Sequence, residues 1–461
     1  MKKQLLLFCF GASLLAACKK DFLGVKPSSG IVNPTTLENY QSLLDNNTIL
    51  NQTGALPQMS SDEYFIVGKS DFDALNNSTY KGAYLWQKDL YGGEINQPDW
   101  NHLYKAVFYA NSVLDGLQTI VQEESNRERY NEIKGQALFF RAFAFFDLIR
   151  NFSTVYNQST AATDPGIPLR LSSGIDLIVQ RATVQETFDQ IIKDLNQSRE
   201  LLSNNLSKAN PNRPSKSAVY AMLARIYLYM GKYAEAGNAA DECLKISNTI
   251  IDYNTLDLTT ETPFSYNTDE TLFFSTQVYN YDATTGYTSY YTNIGVSKEL
   301  IALYDQYDLR LSVFFERNKL GNFNLKRGYV GSGFYPFTGL ATDEIMLIKA
   351  ECAARNNDPA TAISTLNKLL TNRYEAGHFV PLSAPNAATA LAVTLRERRK
   401  ELVWRALRWS DLKRYNRDGA GIILTRTLNG QTVTLNPNSP LYVFPIPDDE
   451  ISLNGIQQNI R

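Results

Sequence analysis

Flat aromatic rings with a polar tip, set among amides, are the residues of this sequence whose types most clearly suggest chemistry. The chain holds 27 Tyr against 23 Phe. Tyrosine is apolar on its face and polar at its hydroxyl, which suits wet contact surfaces. Residues 271–291 (TLFFSTQVYNYDATTGYTSYY) carry seven aromatics in 21 positions, in a chain that is 12% aromatic. Tyr281, Tyr287, Tyr290 and Tyr291 stand there beside Asn280, Asp282 and Thr288. Alternation and β-branching predict a short strand or hairpin with an exposed tip. Residues 60–91 hold a second group, Tyr64, Asn77, Tyr80 and Trp86, without helical spacing. Residues 320–338 are rich in Gly and aromatics. All three stretches read as loops carried on a frame, a usual place for function. The plain alternative is that these rings pack on the frame, and Trp86 equally suits a core.

Catalytic chemistry finds less support. Asp62-Glu63, beside Tyr64, is the first carboxylate pair to consider for hydrolysis. A glycosidase needs its two carboxyls roughly 5–5.5 or 6.5–9.5 Å apart across a cleft, and adjacent side chains usually point apart. Two His and four Cys make a metal or Cys–His centre improbable. The sequence contains no G-x-x-x-x-G-K-[ST], H-E-x-x-H, C-x-x-C or G-x-S-x-G. No catalytic residue, metal or cofactor is expected. The 45 Lys plus Arg nearly balance 47 Asp plus Glu, so no global field favours nucleic acid. Residues 396–414 do carry eight basic and three acidic residues. That run reads as a solvated face or a partner-docking surface. Within it, Glu401 and Arg405 are spaced as an i, i+4 pair, and Arg405 can lie over Trp409.

The elements that must position these residues are mostly helical. Apolar spacing predicts helices over 35–46, 99–120, 129–150 and 184–203. Trp100 and Tyr104 fall on an apolar stripe and read as core. Thr183 is a candidate N-cap, with Glu186 completing a capping box. Residues 215–247 and 341–372 share a template. Ala224, Tyr227, Ala236, Ala240 and Cys243 recur as Ala350, Ala353, Ala362, Leu366 and Leu369 at the same spacings. Small residues so placed let paired helices approach closely, as in tetratricopeptide (TPR) repeats. The predicted fold is all-α, with TPR-like hairpins in a partial solenoid, long irregular inserts and a few short strands. Cys243 and Cys352 lie in helical patterns and read as buried small apolar residues rather than a bridge.

The first residues bear on location. Met1-Lys2-Lys3 is a short basic start, and Gln4–Leu14 is mostly apolar but too short to span a bilayer. Leu15-Ala16-Ala17-Cys18 resembles the lipobox of bacterial lipoproteins, in which the Cys is acylated. Residues 1–17 are therefore read as a signal peptide and 18–30 as a lipidated tether. Residues 31–461 form one domain, with TPR-like helices near 99–150, 184–247 and 341–415 and inserts near 60–91 and 265–338.

Motifs along the whole chain resemble the SusD/RagB family of outer-membrane nutrient-binding lipoproteins. These are Cys18-Lys19-Lys20-Asp21-Phe22-Leu23, then Trp100, Tyr104 and Asn111 in a W-x3-Y-x6-N helix. Gly135-Gln136-Ala137 with Arg141-Ala142, Gly166-Ile167-Pro168-Leu169 and Arg213-Pro214 follow in order. Glu397–Leu402 with Leu407–Leu412, and Pro445-Ile446-Pro447 with Gln458-Asn459, complete the set. The chain departs at Asn459-Ile460-Arg461, where the family usually has Asn-Pro-Gly-aromatic. The resemblance implies a non-enzymatic, surface-exposed lipoprotein anchored to the outer membrane through Cys18. Its implied partner is a SusC-like TonB-dependent transporter, to which it delivers glycan or, in some branches, peptide. A surface glycan hydrolase and a protein-binding TPR scaffold are the competing readings. Rings would pack the C–H faces of a sugar while Asn, Asp and Arg satisfy its hydroxyl edges. The candidate contacts are Tyr64, Asn77, Tyr80, Trp86, Tyr281, Tyr287, Tyr290 and Tyr291.

Overall fold

Helix propensity and small-residue spacing build the frame. The computed structural model describes residues 34–205, 210–278 and 291–461. The predicted signal peptide, Cys18 and the tether lie outside the described residues, as do Tyr281, Tyr287 and Tyr290. Among the described residues there are 17 α-helices and six two-stranded sheets. The expected all-α class with few short strands is what the structure shows.

The predicted long helices form as Leu37–Leu44, Pro98–Leu117, Arg127–Phe152 and Val184–Leu201. Thr183 accepts from the Glu186 N–H at 3.1 Å, and Glu186 accepts from the Thr183 N–H at 2.8 Å. That capping box satisfies donors at both positions. The 127–152 helix is buried from Gly135 to its end. It packs between its neighbours on either side, which explains its all-round apolar surface.

The two halves of the small-residue template become adjacent hairpins. Lys216–Met230 turns at Gly231 (φ +79°) into Tyr233–Ile246. Thr342–Arg355 turns into Pro359–Leu370 in the same way. Ala224, Ala236, Ala240 and Cys243 are buried, as are Ala350, Ala362, Leu366 and Leu369. The second position of each template, Tyr227 or Ala353, is half-buried. The 233–246 helix packs on the 342–355 helix, so an insert of nearly a hundred residues leaves the hairpins stacked. A Cβ at Gly237 would sit 3.4 Å from the Cys352 Cβ, an ordinary contact that shows how closely these helices approach. Cys243 and Cys352 are both free and buried.

The basic run at 396–414 does not form a solvated face. Ala387–Glu401 and Arg408–Arg417 carry it, and Arg398, Lys400, Arg405, Lys413 and Arg414 are buried. Carboxylates from distant segments pair most of these charges. Arg414 holds Glu351 and Asp411, Arg398 holds Asp411, and Lys400 reaches Asp308 and Glu397. Arg310 is fully buried against Asp308, Glu397 and Glu401, and Arg373 binds Glu270 and Glu401. Glu401 is thus not paired with Arg405. The helix ends at Glu401, and Trp404 and Ala406 adopt φ of +54° and +53°. This turns Arg405 to Asp343 at 3.3 Å, over the rings of Tyr329 and Phe337 rather than Trp409. Trp409 instead stacks on Phe444.

Candidate ligand-binding face

Two small antiparallel ribbons leave the helical frame and carry the open rings. Tyr64–Ile66 pairs with Ile294–Val296, with Phe65 opposite Gly295. Strand alternation turns Tyr64 and Ile66 inward and leaves Phe65 half-buried. A Cβ at position 295 would lie 2.6 Å from the Phe65 ring, so glycine there makes room for it. The Lys298 ammonium stands 5.9 Å from the Phe65 ring centre. The second ribbon pairs Phe315–Arg317 with Phe323–Leu325. Its Arg317 guanidinium lies 4.1 Å over the Phe323 ring and donates to the Gly321 carbonyl.

Asn318 holds the ribbon loop together. Its oxygen accepts from the N–H groups of Leu320 and Asn322, while its amide donates to the Asn324 oxygen and the Tyr291 carbonyl. Asn324 also donates to that carbonyl. The backbone of Tyr291 is therefore fixed, while its side chain is 38% exposed. Tyr291 is the one member of the 271–291 tyrosine group within the described residues.

A second open ring cluster lies where the chain runs toward residue 279. Tyr266 is half exposed; its hydroxyl donates to Asn212 at 2.9 Å, and its ring packs 4.6 Å from Phe274. Gly331 adopts φ +56°, and a Cβ there would lie 2.7 Å from the Tyr266 nitrogen. Phe334 and Tyr335 are half-buried with ring centres 5.3 Å apart. Arg327 donates to the carbonyls of Ser332 and Gly333 and stands 5.9 Å from the Phe334 ring. The Gln277 N–H bonds the Pro336 carbonyl, which ties this cluster to the chain just before residue 279.

The 60–91 group behaves differently, and here the expectation is corrected. Tyr64, Tyr80 and Trp86 are in the core. The Tyr64 hydroxyl donates to the Met59 carbonyl at 2.7 Å, and the Trp86 indole to Ser60 at 2.9 Å. Tyr64, Tyr84 and Trp86 box the Arg426 guanidinium, which lies 5.1, 3.9 and 4.9 Å from their ring centres. Burial pushes the Tyr64 phenol up to about 12. Asn77 caps the Ser78–Tyr84 helix by accepting from the Tyr80 N–H. This stretch offers no open ring face through those three residues.

The carboxylate pair is also occupied. Asp62 is bound by Arg408 and Arg399, whose charges hold its carboxyl well below the usual range against the opposing effect of burial. Glu63 is buried, and that burial pushes it up to about 7. It accepts from Gln58 at 2.8 Å and more weakly from the Trp404 N–H. Among the described residues, no group of three or more His, Cys, Asp or Glu could hold a metal ion. A cleft of about 530 Å³ shares no lining residue with either ring cluster. Lys413, Arg417, Tyr442 and Asn459 are among its walls.

Comparison with known proteins agrees with the fold. Residues 21–228 match the family model described as starch-binding associating with outer membrane, and residues 342–460 match the SusD family model. The chain is 28% identical over 141 residues to a SusD-like protein of Formosa agariphila, covering 31% of this chain and 25% of that protein. It is 25% identical over 258 residues to a SusD-like protein of Bacteroides ovatus, covering 54% and 43%. The matches thus span less than half the length of these relatives. A SusD superfamily structure from Bacteroides thetaiotaomicron superposes with a TM-score of 0.75 at 22% identity, covering 92% of this chain and 100% of that one. A putative sugar binding protein from Bacteroides vulgatus gives 0.73 at 23% identity, covering 93% and 99%.

Proposed function

The chain belongs to the SusD/RagB family, and from that premise we propose that it is a cell-surface lipoprotein that captures glycan and hands it intact to a barrel transporter. The observation that carries this reading is two sets of partly open rings, Phe65, Tyr291 and Phe323 on the ribbons and Tyr266 with Phe334 and Tyr335 near residue 279. Fixed amides and cations, among them Lys298, Arg317 and Arg327, stand beside those rings. A sugar ring can lie on such a face while its hydroxyls meet the amides and guanidiniums. Tyr281, Tyr287 and Tyr290 join the face in this proposal, since they follow Val278 and precede Tyr291 in the chain. Acylated Cys18 is the outer-membrane anchor, and a SusC-like TonB-dependent barrel receives the ligand.

The occupied state of Asp62 and the burial of Glu63 favour binding over hydrolysis. The test is affinity electrophoresis and product chromatography with a starch-type and a β-linked polysaccharide, using protein lacking residues 1–17. Retarded migration with an unchanged ligand chain length is the expected result. Shorter products would replace the reading with a hydrolase, and binding of peptides alone would assign the protein to the peptide-binding branch.

A further inference from the structure

The basic run at 396–414 keeps part of its charge at a cavity. A pocket of about 470 Å³ is walled by residues of the Ala387–Glu401 helix, the Arg408–Arg417 helix and the turn that follows it. Arg355, Arg396, Arg399 and Arg408 line it, and Asp418 is the single carboxylate among its walls. Leu303, Leu391, Leu395 and Ile422 supply apolar surface beside those four cations.

The counter-charges of these cations are all shared. Arg408 holds both oxygens of Asp62, at 2.7 and 2.8 Å, and Arg399 reaches the same carboxylate at 3.0 Å. Arg355 binds Glu351 and Asp418, but Glu351 also holds Arg414, and Asp418 also holds Arg417. Arg396 meets Glu397 at 3.6 Å, and that carboxylate already binds Arg310 and Lys400. Glu299 adds a further attraction on Arg399. The Arg399 Nε is buried and has no hydrogen-bond partner among the described residues. Burial and the neighbouring Arg408 cation lower the Arg399 guanidinium from its ordinary value. A buried donor left unmet, beside cations that share their carboxylates, is a cost that an incoming anion relieves.

We infer that this cavity binds the carboxylate of an acidic sugar, with uronic acids as the ligand class. The inference rests on the glycan capture proposed above and names the kind of glycan. A guanidinium fork matches a carboxylate in two parallel bonds, while the leucine wall takes the C–H face of the sugar. Arg399, with its unmet Nε, and half-exposed Arg396 are the main contacts, because Arg408 stays committed to Asp62. The chain of the first ribbon leads into this region: Asp62 stands three residues before Phe65, and Leu303 follows the Lys298–Ile301 helix that leaves the Ile294–Val296 strand. The cavity shares no lining residue with either ring cluster, so a neutral sugar and an acidic one have separate places.

The test is calorimetric titration of the full chain, purified in a non-ionic detergent, with galacturonate and glucuronate oligosaccharides, their methyl esters and sodium sulfate. At least one acid form should bind about tenfold or more tightly than its uncharged ester. Arg396→Gln/Arg399→Gln should abolish that preference and leave binding of a neutral polysaccharide unchanged. Arg396→Gln alone, at a half-exposed position, should weaken the acid form about threefold and keeps the test open should the double variant unfold early. Acid and ester bound alike, or a preference kept in both variants, overturns the site and leaves glycan capture intact. Sulfate bound as tightly as the uronate makes the cavity a plain anion site and overturns the sugar assignment. Failure of every acidic sugar while polysaccharides still bind overturns this inference alone, and failure of both overturns it together with the function it rests on.

Discussion

Aromatic rings and guanidiniums meet in two regions of this molecule, with opposite outcomes. Around Arg426, three rings enclose the cation, and its nitrogens bond the carbonyls of Met59, Ser61 and Tyr84. Every partner comes from inside the fold, so nothing remains to offer a ligand. On the ribbons Arg317, and in the second cluster Arg327, also stand over rings, but Phe323, Phe334 and Tyr335 are only half-buried, and Tyr266 and Tyr291 are exposed. The same pairing is structural when sealed and is available for recognition when one side stays wet. Residue type alone does not separate the two; burial does.

The contrast is broken most severely from the sealed side. Arg310→Met leaves Asp308, Glu397 and Glu401 facing one another without their shared cation. The expected loss is about 3–5 kcal/mol of stability, read by urea unfolding. A loss below about 1 kcal/mol would mean the buried charge lattice is not what holds the late helices in place.

The next effect is a pH dependence. Glu63 in the folded protein titrates near 7, above its usual 4.5. Its raised value means the folded state holds the proton between those two limits while the unfolded state has released it. The contribution of Glu63 is therefore full below pH 4.5 and is lost as pH rises through 7, by up to about 3 kcal/mol. Glu63→Gln keeps an acceptor for Gln58 and should flatten this slope. The difference between the two proteins isolates Glu63 from Lys413, which burial depresses to about 7 and which acts above that pH. Parallel stability curves from pH 4.5 to 8 would sink the assignment.

Smallest in energy is the open face. Tyr266→Ala with Tyr291→Ala removes two exposed rings and, with them, the Tyr266–Asn212 hydrogen bond, and should cost about 1 kcal/mol of stability. The same pair should weaken polysaccharide binding about tenfold, read by affinity electrophoresis. Unaltered migration would show that these rings do not touch the ligand.

How much of this was legible beforehand follows the range of the interactions. The capping box at Thr183 and the paired templates around Ala224 and Ala350 depend on neighbours three to twenty residues away, and both formed as read. The role of Trp86 depended on Arg426, 340 positions later, and no local pattern announces such a partner. The basic run at 396–414 reads locally as a wet face, yet its counter-charges Asp62, Asp308, Asp343 and Glu351 are scattered through the chain. The break after Glu401 carries no Gly or Pro to mark it, so an i, i+4 pair with Arg405 looked sound. The small-residue demand at Gly295 and Gly331, which shapes the face, appears only once the opposing ring and backbone are known.

Affinity and unfolding measured together on two variants test the central claim most directly. Tyr287→Ala/Tyr290→Ala/Tyr291→Ala should lose polysaccharide binding and unfold within a degree or two of the wild type. Trp86→Ala should unfold at a clearly lower temperature and bind normally while folded. The reverse pattern, with the tyrosine variant destabilised and the tryptophan variant unable to bind, would contradict the division between sealed and open rings.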